Sequence, residues 1–136
     1  MRVYDPATIP AEPVDPNNFT GGGTLVRMDG ICEAPPVNAY RVSFAPGTRT
    51  AWHTHSGTQL LLVVEGTCRF QADGEPVQEV GTGGIVSIPP GERHWHGASA
   101  DAPMVHVALN VDASTTWLEK VTDREYQGRF RQAGGV

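Results

Sequence analysis

Gly47-Thr-Arg-Thr-Ala-Trp-His53-Thr-His55-Ser-Gly-Thr-Gln59-Leu-Leu-Leu-Val-Val-Glu-Gly66 carries the two features that decide the fold. Residues i and i+2 of a β-strand project from one face, so a strand through His53 and His55 sets two imidazoles side by side, about 7 Å apart. At that spacing both rings can converge on a single ion. The run that follows, Leu60–Val64, is of strand length and apolar on both faces, so both faces need cover. One face suits the inside of a barrel. The other calls for a second sheet or a second copy of the chain, and a homodimer is expected.

Further along, Gly83 and then Pro89-Pro-Gly91-Glu-Arg-His94-Trp-His96 repeat the His-x-His spacing, and His106 sits in a third apolar stretch. A lone histidine on a strand is ordinarily structural, but two such pairs and a fifth histidine point to a built site. Together the two stretches resemble the paired motifs of the cupin family. The first motif is Gly, five residues, His-x-His, three or four residues, Glu, six residues, Gly; here the Glu position holds Gln59. The second is Gly-x5-Pro-x-Gly-x2-His, with Ala98 where an Asn would close it. The resemblance spans residues 24–112.

What this resemblance implies is an all-β fold, a cupin β-barrel of the jelly-roll type with two sheets, whose lumen holds one divalent metal. His53, His55 and Gln59 match the ligands of the first motif, and His94 that of the second. Gln59 in place of a carboxylate leaves the ligand set uncharged, so a divalent ion would keep its full +2 and favour an anionic ligand or intermediate. Such a set is also a poorer electron donor than the two-His-one-carboxylate triad of oxygen-activating iron sites. Manganese is the favoured metal, with iron, zinc and nickel as alternatives.

His96 shares a strand face with His94, and is expected either as a general acid–base or as support for the ligands. In Met104–Val111 the mixed face of Met104, His106, Ala108 and Asn110 is expected to look into the lumen, so that His106 orients His96 or meets substrate. Tyr40, Val42, Phe44, Leu61 and Asn110 are the expected substrate-binding side chains. Arg49–His55, Pro90–Ala98 and Trp117–Tyr126 are similar to small bacterial cupins that include manganese-dependent hydroxynitrile lyases and cupins associated with carboxymuconolactone decarboxylases. Tyr40 departs from them, standing where the lyases carry a small residue, as does Asn110, which replaces Gln. The resemblance implies a metal-dependent lyase acting on a small polar molecule. A metal-dependent oxygenase and a non-catalytic ligand-binding cupin are the alternatives.

Length and composition agree with one domain. The chain has 136 residues, with the core expected at about 24–112 and a strand and helix tail at 113–136. Only 18% of residues are charged while Gly and Pro number 16 and 11, which suits short strands joined by tight turns. Residues 1–22, with Pro6, Pro10, Pro13 and Pro16, read as an extended surface arm. Asp73-Gly74 is a hairpin signal of type I′. Thr122 and Glu125 form a capping box for a short helix over 123–131. Cys32 and Cys68 lack a Cys-x-x-Cys partner and read as buried reduced thiols, and Arg41 and Arg49 read as surface charges or as groups that steer an anionic substrate. Net charge is −5, against nucleic acid as a partner; neither an apolar leader nor a membrane span is apparent, so a cytoplasmic location is expected.

Overall fold

The computed structural model of the chain describes residues 1–128. In chain order the strands are β1 (Glu12–Pro13), β2 (Phe19–Thr20), β3 (Gly23–Glu33), β4 (Pro36–Phe44), β5 (Arg49–Thr50), β6 (His53–His55), β7 (Thr58–Glu65), β8 (Thr67–Ala72), β9 (Gln78–Gly81), β10 (Ile85–Ile88), β11 (His94–Ala98), β12 (Met104–Val111) and β13 (Thr115–Trp117). One short helix, α1 (Asp123–Gln127), follows. The strands form two antiparallel sheets. One runs β1-β3-β4-β12-β7-β10; the other runs β13-β6-β11-β5-β2, with β8 also paired to β11 and β9 to β8. The all-β, two-sheet barrel expected from the sequence is the one observed.

Period-two alternation decides what faces the lumen. On β12, Met104, His106, Ala108 and Asn110 are buried, whereas Val107, Leu109 and Val111 are only partly so. On β7, Gln59, Leu61 and Val63 are buried and Leu62 is exposed. A bulge lies where these strands meet: β12 advances one residue from Val105 to His106 while β7 advances from Glu65 to Val63. Bulges re-aim the residues beside them, and this one stands next to His106. Trp95 alternates out of the lumen and packs with Trp52, Val121 and Tyr126, so α1 lies on the outside of the second sheet.

Several expectations are corrected. The N-terminal segment is more than a surface arm, because β1 pairs with β3, β2 pairs with β5, and Val14 and Phe19 enter the main apolar cluster. At Asp73-Gly74 only Gly74 has positive φ, and Glu75 N donates to Ala72 O, so the turn is not type I′; five residues separate β8 from β9. The capping box forms as expected, but Gly128 in left-handed conformation ends α1 after Gln127; residues 129–131 of the expected helix lie outside the described residues. Cys68 is buried and Cys32 exposed, both as free thiols. Arg49 is 6% exposed rather than a surface charge: its guanidinium donates to Val121 O and Asp123 Oδ1 and lies 4.8 Å from the Tyr126 ring centroid. The long reach from Arg49 to Val121 gave no local signal in the sequence.

Gly66 shows why the first motif ends as it does. It turns the chain from β7 into β8 at φ 75°, and a Cβ there would stand 2.2 Å from the carbonyl oxygen of Pro103. Backbone cannot yield as a flexible side chain can. Gly66→Ala is expected to lower stability by about 2 kcal/mol or more, read as an earlier midpoint of denaturant unfolding at unchanged m-value.

Candidate metal centre

Register, rather than proximity in sequence, assembles the site. His53 on β6 and His94 on β11 are directly opposed, and their ring centroids are 4.2 Å apart. His55 stands 5.0 Å from His53 and 5.2 Å from His94 by the same measure. Gln59 begins the inward face of β7, and its Oε1 lies 3.3 Å from His94 Nε2.

Hydrogen bonds determine which nitrogen each imidazole turns inward. His53 Nδ1–H donates to Ala51 O and His94 Nδ1–H donates to Glu92 O, each at 2.8 Å. A carbonyl only accepts, so both Nδ1 atoms carry the proton and both Nε2 atoms are left with a lone pair. His55 Nδ1 shares a hydrogen bond of 3.0 Å with Thr115 Oγ1, and its buried Nε2 has no partner among the described residues. An imidazole anchored through Nδ1–H that keeps a lone pair on Nε2 is the arrangement in which histidine serves as a metal ligand, and His53 and His94 meet it. Gln59 Oε1 adds a fourth, neutral donor. These residues fit a divalent transition metal.

His96 belongs to the same cluster: one nitrogen each of His53, His94 and His96 lie within 4.8 Å of one another. Its other side differs, however. His96 Nδ1 meets His106 Nε2 at 3.0 Å instead of a carbonyl, and neither His96 Nε2 nor His106 Nδ1 has a partner among the described residues. Phe44 closes over the pair, edge-on to His106 at 5.0 Å between centroids. The chemistry of the two sets therefore separates: His53 and His94 are locked in one tautomer, whereas one proton shared by two imidazoles can reside on either.

Burial keeps all five rings neutral. It pushes His94 and His106 down to about 4, and it pushes His53 and His96 well below the ordinary histidine range. His55 is lowered for the same reason, with the nearby Gln59 side chain offsetting part of the effect. Desolvation disfavours the imidazolium, and neighbouring imidazoles add repulsion at His53 and His96.

The lumen opens as a cavity of about 440 Å³. Tyr40, Val42, Phe44 and Asn110 line it as expected, together with His53, His55, Gln59, His96 and His106. Leu61 does not: it is fully buried beside Ile88 and Ala108, deeper in the packing of β7. His94, set behind His53, is not part of the lining either. Sequence reasoning missed one wall of the cavity. Phe19 and Trp117 meet with ring centroids 6.1 Å apart at a tilt of 48°, and the Trp117 ring lies 4.6 Å from His53, its cross-strand partner. At the rim, Arg27 donates to Glu12 at 2.9 Å and lies over the Tyr40 ring. The alternation Thr115-Thr-Trp117 was the available signal for β13; nothing local pointed to Glu12.

With this geometry established, likeness to known proteins can be placed. The model of the cupin domain family (Cupin_2) matches residues 40–110. The chain belongs to the cupin family. Among curated proteins it is 42% identical to an (R)-mandelonitrile lyase of Granulicella tundricola over 115 residues, covering 80% of this chain and 86% of that one. Among solved structures, a cupin-like protein from Thermotoga maritima superposes with TM-score 0.82 at 30% identity, covering 93% and 96% of the two chains. The polyketide cyclase RemF from Streptomyces resistomycificus shares the fold at TM-score 0.72 and 20% identity, covering 93% of this chain and 91% of that one.

The depressed imidazoles have a consequence for stability. In the unfolded chain they titrate near 6.5 and take up protons that the folded metal-free barrel refuses. Their contribution to stability is full above that value and drains as pH falls towards about 4. Each such histidine costs at most about 1.4 kcal/mol per pH unit in that window. Chelator-treated protein is therefore expected to melt progressively earlier between pH 7 and pH 5 in calorimetry, with a smaller loss in metal-loaded protein.

Proposed function

We propose that this cupin is a metal-dependent lyase that cleaves and forms the carbon–carbon bond of a small hydroxynitrile, with manganese(II) as the favoured metal. The observation that supports the reading is a buried cluster of neutral donors: one nitrogen each of His53, His94 and His96 lie within 4.8 Å of one another, with His55 and Gln59 beside them. In this reading His53, His55, His94 and Gln59 hold the metal and His96 stays free to act. The mandelonitrile lyase likeness supports the same reaction class. A bound divalent ion would supply an uncompensated positive charge against which a leaving anion is stabilised.

The chain's own groups would move the proton. With the shared proton on His96 Nδ1, donated to His106 Nε2, His96 presents a basic Nε2 to the cavity. That atom takes the proton of the substrate hydroxyl, the C–O bond gains its second electron pair, and the bond to the nitrile carbon breaks with its pair on cyanide. His96 then returns the proton, and aldehyde and hydrogen cyanide leave. Passing the Nδ1 proton to His106 spreads the transient charge over two rings. Burial keeps His96 unprotonated but also makes it a weaker base, which the shared hydrogen bond with His106 counters. Phe19, Tyr40, Phe44 and Trp117 offer an aromatic substituent a wall to rest on.

The reading includes a homodimer and a cytoplasmic location. Ile85 and Leu62, 66% and 41% exposed, are paired across β10 and β7, and among the described residues β10 is the last strand of its sheet. Leu60, Val64 and Val107 continue this aliphatic face, which a second copy would cover.

Metal content and benzaldehyde release from mandelonitrile test the proposal. Protein loaded with manganese(II) is expected to release benzaldehyde above the buffer rate, and chelation should abolish it. His53→Ala should lose both metal and activity. His96→Ala should keep the metal and lose about 10²–10⁴-fold in rate. Loaded wild-type protein that leaves the nitrile intact would sink the lyase reading; oxygen uptake with phenols or diketones by the same sample would replace it with an oxygenase. For assembly, light scattering on eluting protein should give twice the chain mass, and Ile85→Glu should shift it to monomer.

A further inference from the structure

Asn110 and Gln59 are direct cross-strand partners on β12 and β7, both facing the lumen and both almost wholly buried, at 7% and 4% exposure. Gln59 Nε2 donates to Asn110 Oδ1 at 2.8 Å. That bond leaves Gln59 Oε1 facing His94 Nε2 at 3.3 Å. Because His94 Nδ1–H is already given to Glu92 O, His94 Nε2 is an acceptor. Two acceptors thus face each other, an arrangement that gains nothing without a cation and would be relieved by turning the amide over. Turned over, Gln59 would donate Nε2–H to His94 Nε2, and that single hydrogen bond would remove two donors from the metal at once. Asn110 Oδ1 takes Gln59 Nε2–H on the opposite side, and turning the Gln59 amide alone would set two carbonyl oxygens against each other there.

We propose that Asn110 is a positioning residue that holds the Gln59 amide with its oxygen inward, and so completes the neutral donor set. The proposal rests on the metal-binding reading above. It separates Asn110 from the substrate-contact role expected of it: the side chain lines the cavity, yet its carbonyl oxygen is committed to Gln59. It also accounts for a neutral ligand in a position where rotation by half a turn converts ligand into blocker. A carboxylate, with two equivalent oxygens, needs no such partner.

The experiment compares metal affinity in four proteins, using manganese(II) alone, followed by its free-ion paramagnetic resonance signal, and zinc(II) alone, followed by chelator competition. Asn110→Leu keeps volume and removes the acceptor; it should weaken both metals by about 10–100-fold. Asn110→Asp retains an acceptor for Gln59 Nε2–H and should bind at least as tightly as wild type. In a Gln59→Glu background, Asn110→Leu should change affinity by less than about threefold, because no amide remains to turn over. Thermal melts of the metal-free variants exclude unfolding as the cause of any loss. Equal affinity in wild type and Asn110→Leu would overturn the proposal and leave the metal reading intact. An equal loss from Asn110→Leu in both backgrounds would also overturn it, marking Asn110 as general packing. Wild-type protein that takes up neither metal would overturn the proposal together with the reading beneath it.

Discussion

Lone pairs that face one another repel, and a barrel that keeps several of them converging must hold their carriers from behind. Here the restraint is mostly backbone. The carbonyls of Ala51 and Glu92 each take the Nδ1 proton of a histidine two residues further along, so the ring orientation is written into the local strand path. Thr115 Oγ1 holds His55 Nδ1 from across a strand pair, and Asn110 Oδ1 takes an amide proton of Gln59. Remove the restraint and each group would find a more comfortable hydrogen bond elsewhere. The pairing of β6 with β11, which sets His53 against His94, is what turns four separate restraints into one site.

Burial then decides the charge state. A cluster of five histidines would repel itself if protonated, and burial strips the rings of the hydration that would stabilise their charged form. The result is a basic-looking composition of rings that stays neutral and offers electron pairs. His96 and His106 differ from the other three only in their partner, an imidazole where the others meet carbonyl or hydroxyl oxygen. That difference suits one group of rings to holding charge and the other to relaying a proton.

The outer face of the second sheet supports this arrangement at some distance. Trp95, between His94 and His96, is fully buried in packing against Trp52 and Tyr126, and donates its indole N–H to Gln71. Tyr126 donates to Ala98 O at the end of the same strand and lies between Arg49 and Arg69. The strand that carries two of the five histidines is therefore pinned on its far side by the tail of the chain. The N-terminal segment plays the corresponding part at the mouth, where Phe19 and Glu12 complete walls that the two motifs alone would leave open.

How much of this was legible in the sequence follows from the range over which each feature is set. Which imidazoles share a face was readable from spacing, because strand alternation is local; so were the capping box at Thr122 and the inward face of β12. The inward position of Leu61 was legible too, but its depth in the packing was not, since the side chains of Ile88 and Ala108 lie far along the chain. Arg49 looked like a surface charge because its partners, Val121 and Asp123, are supplied by the tail. The sequence by itself determined the residue types of the donor set, their order, and the face they occupy. Tertiary structure alone decided which atom of each residue points inward, since that depends on acceptors such as Thr115 and Asn110, which reach hydrogen-bond distance only when the strands close into a barrel.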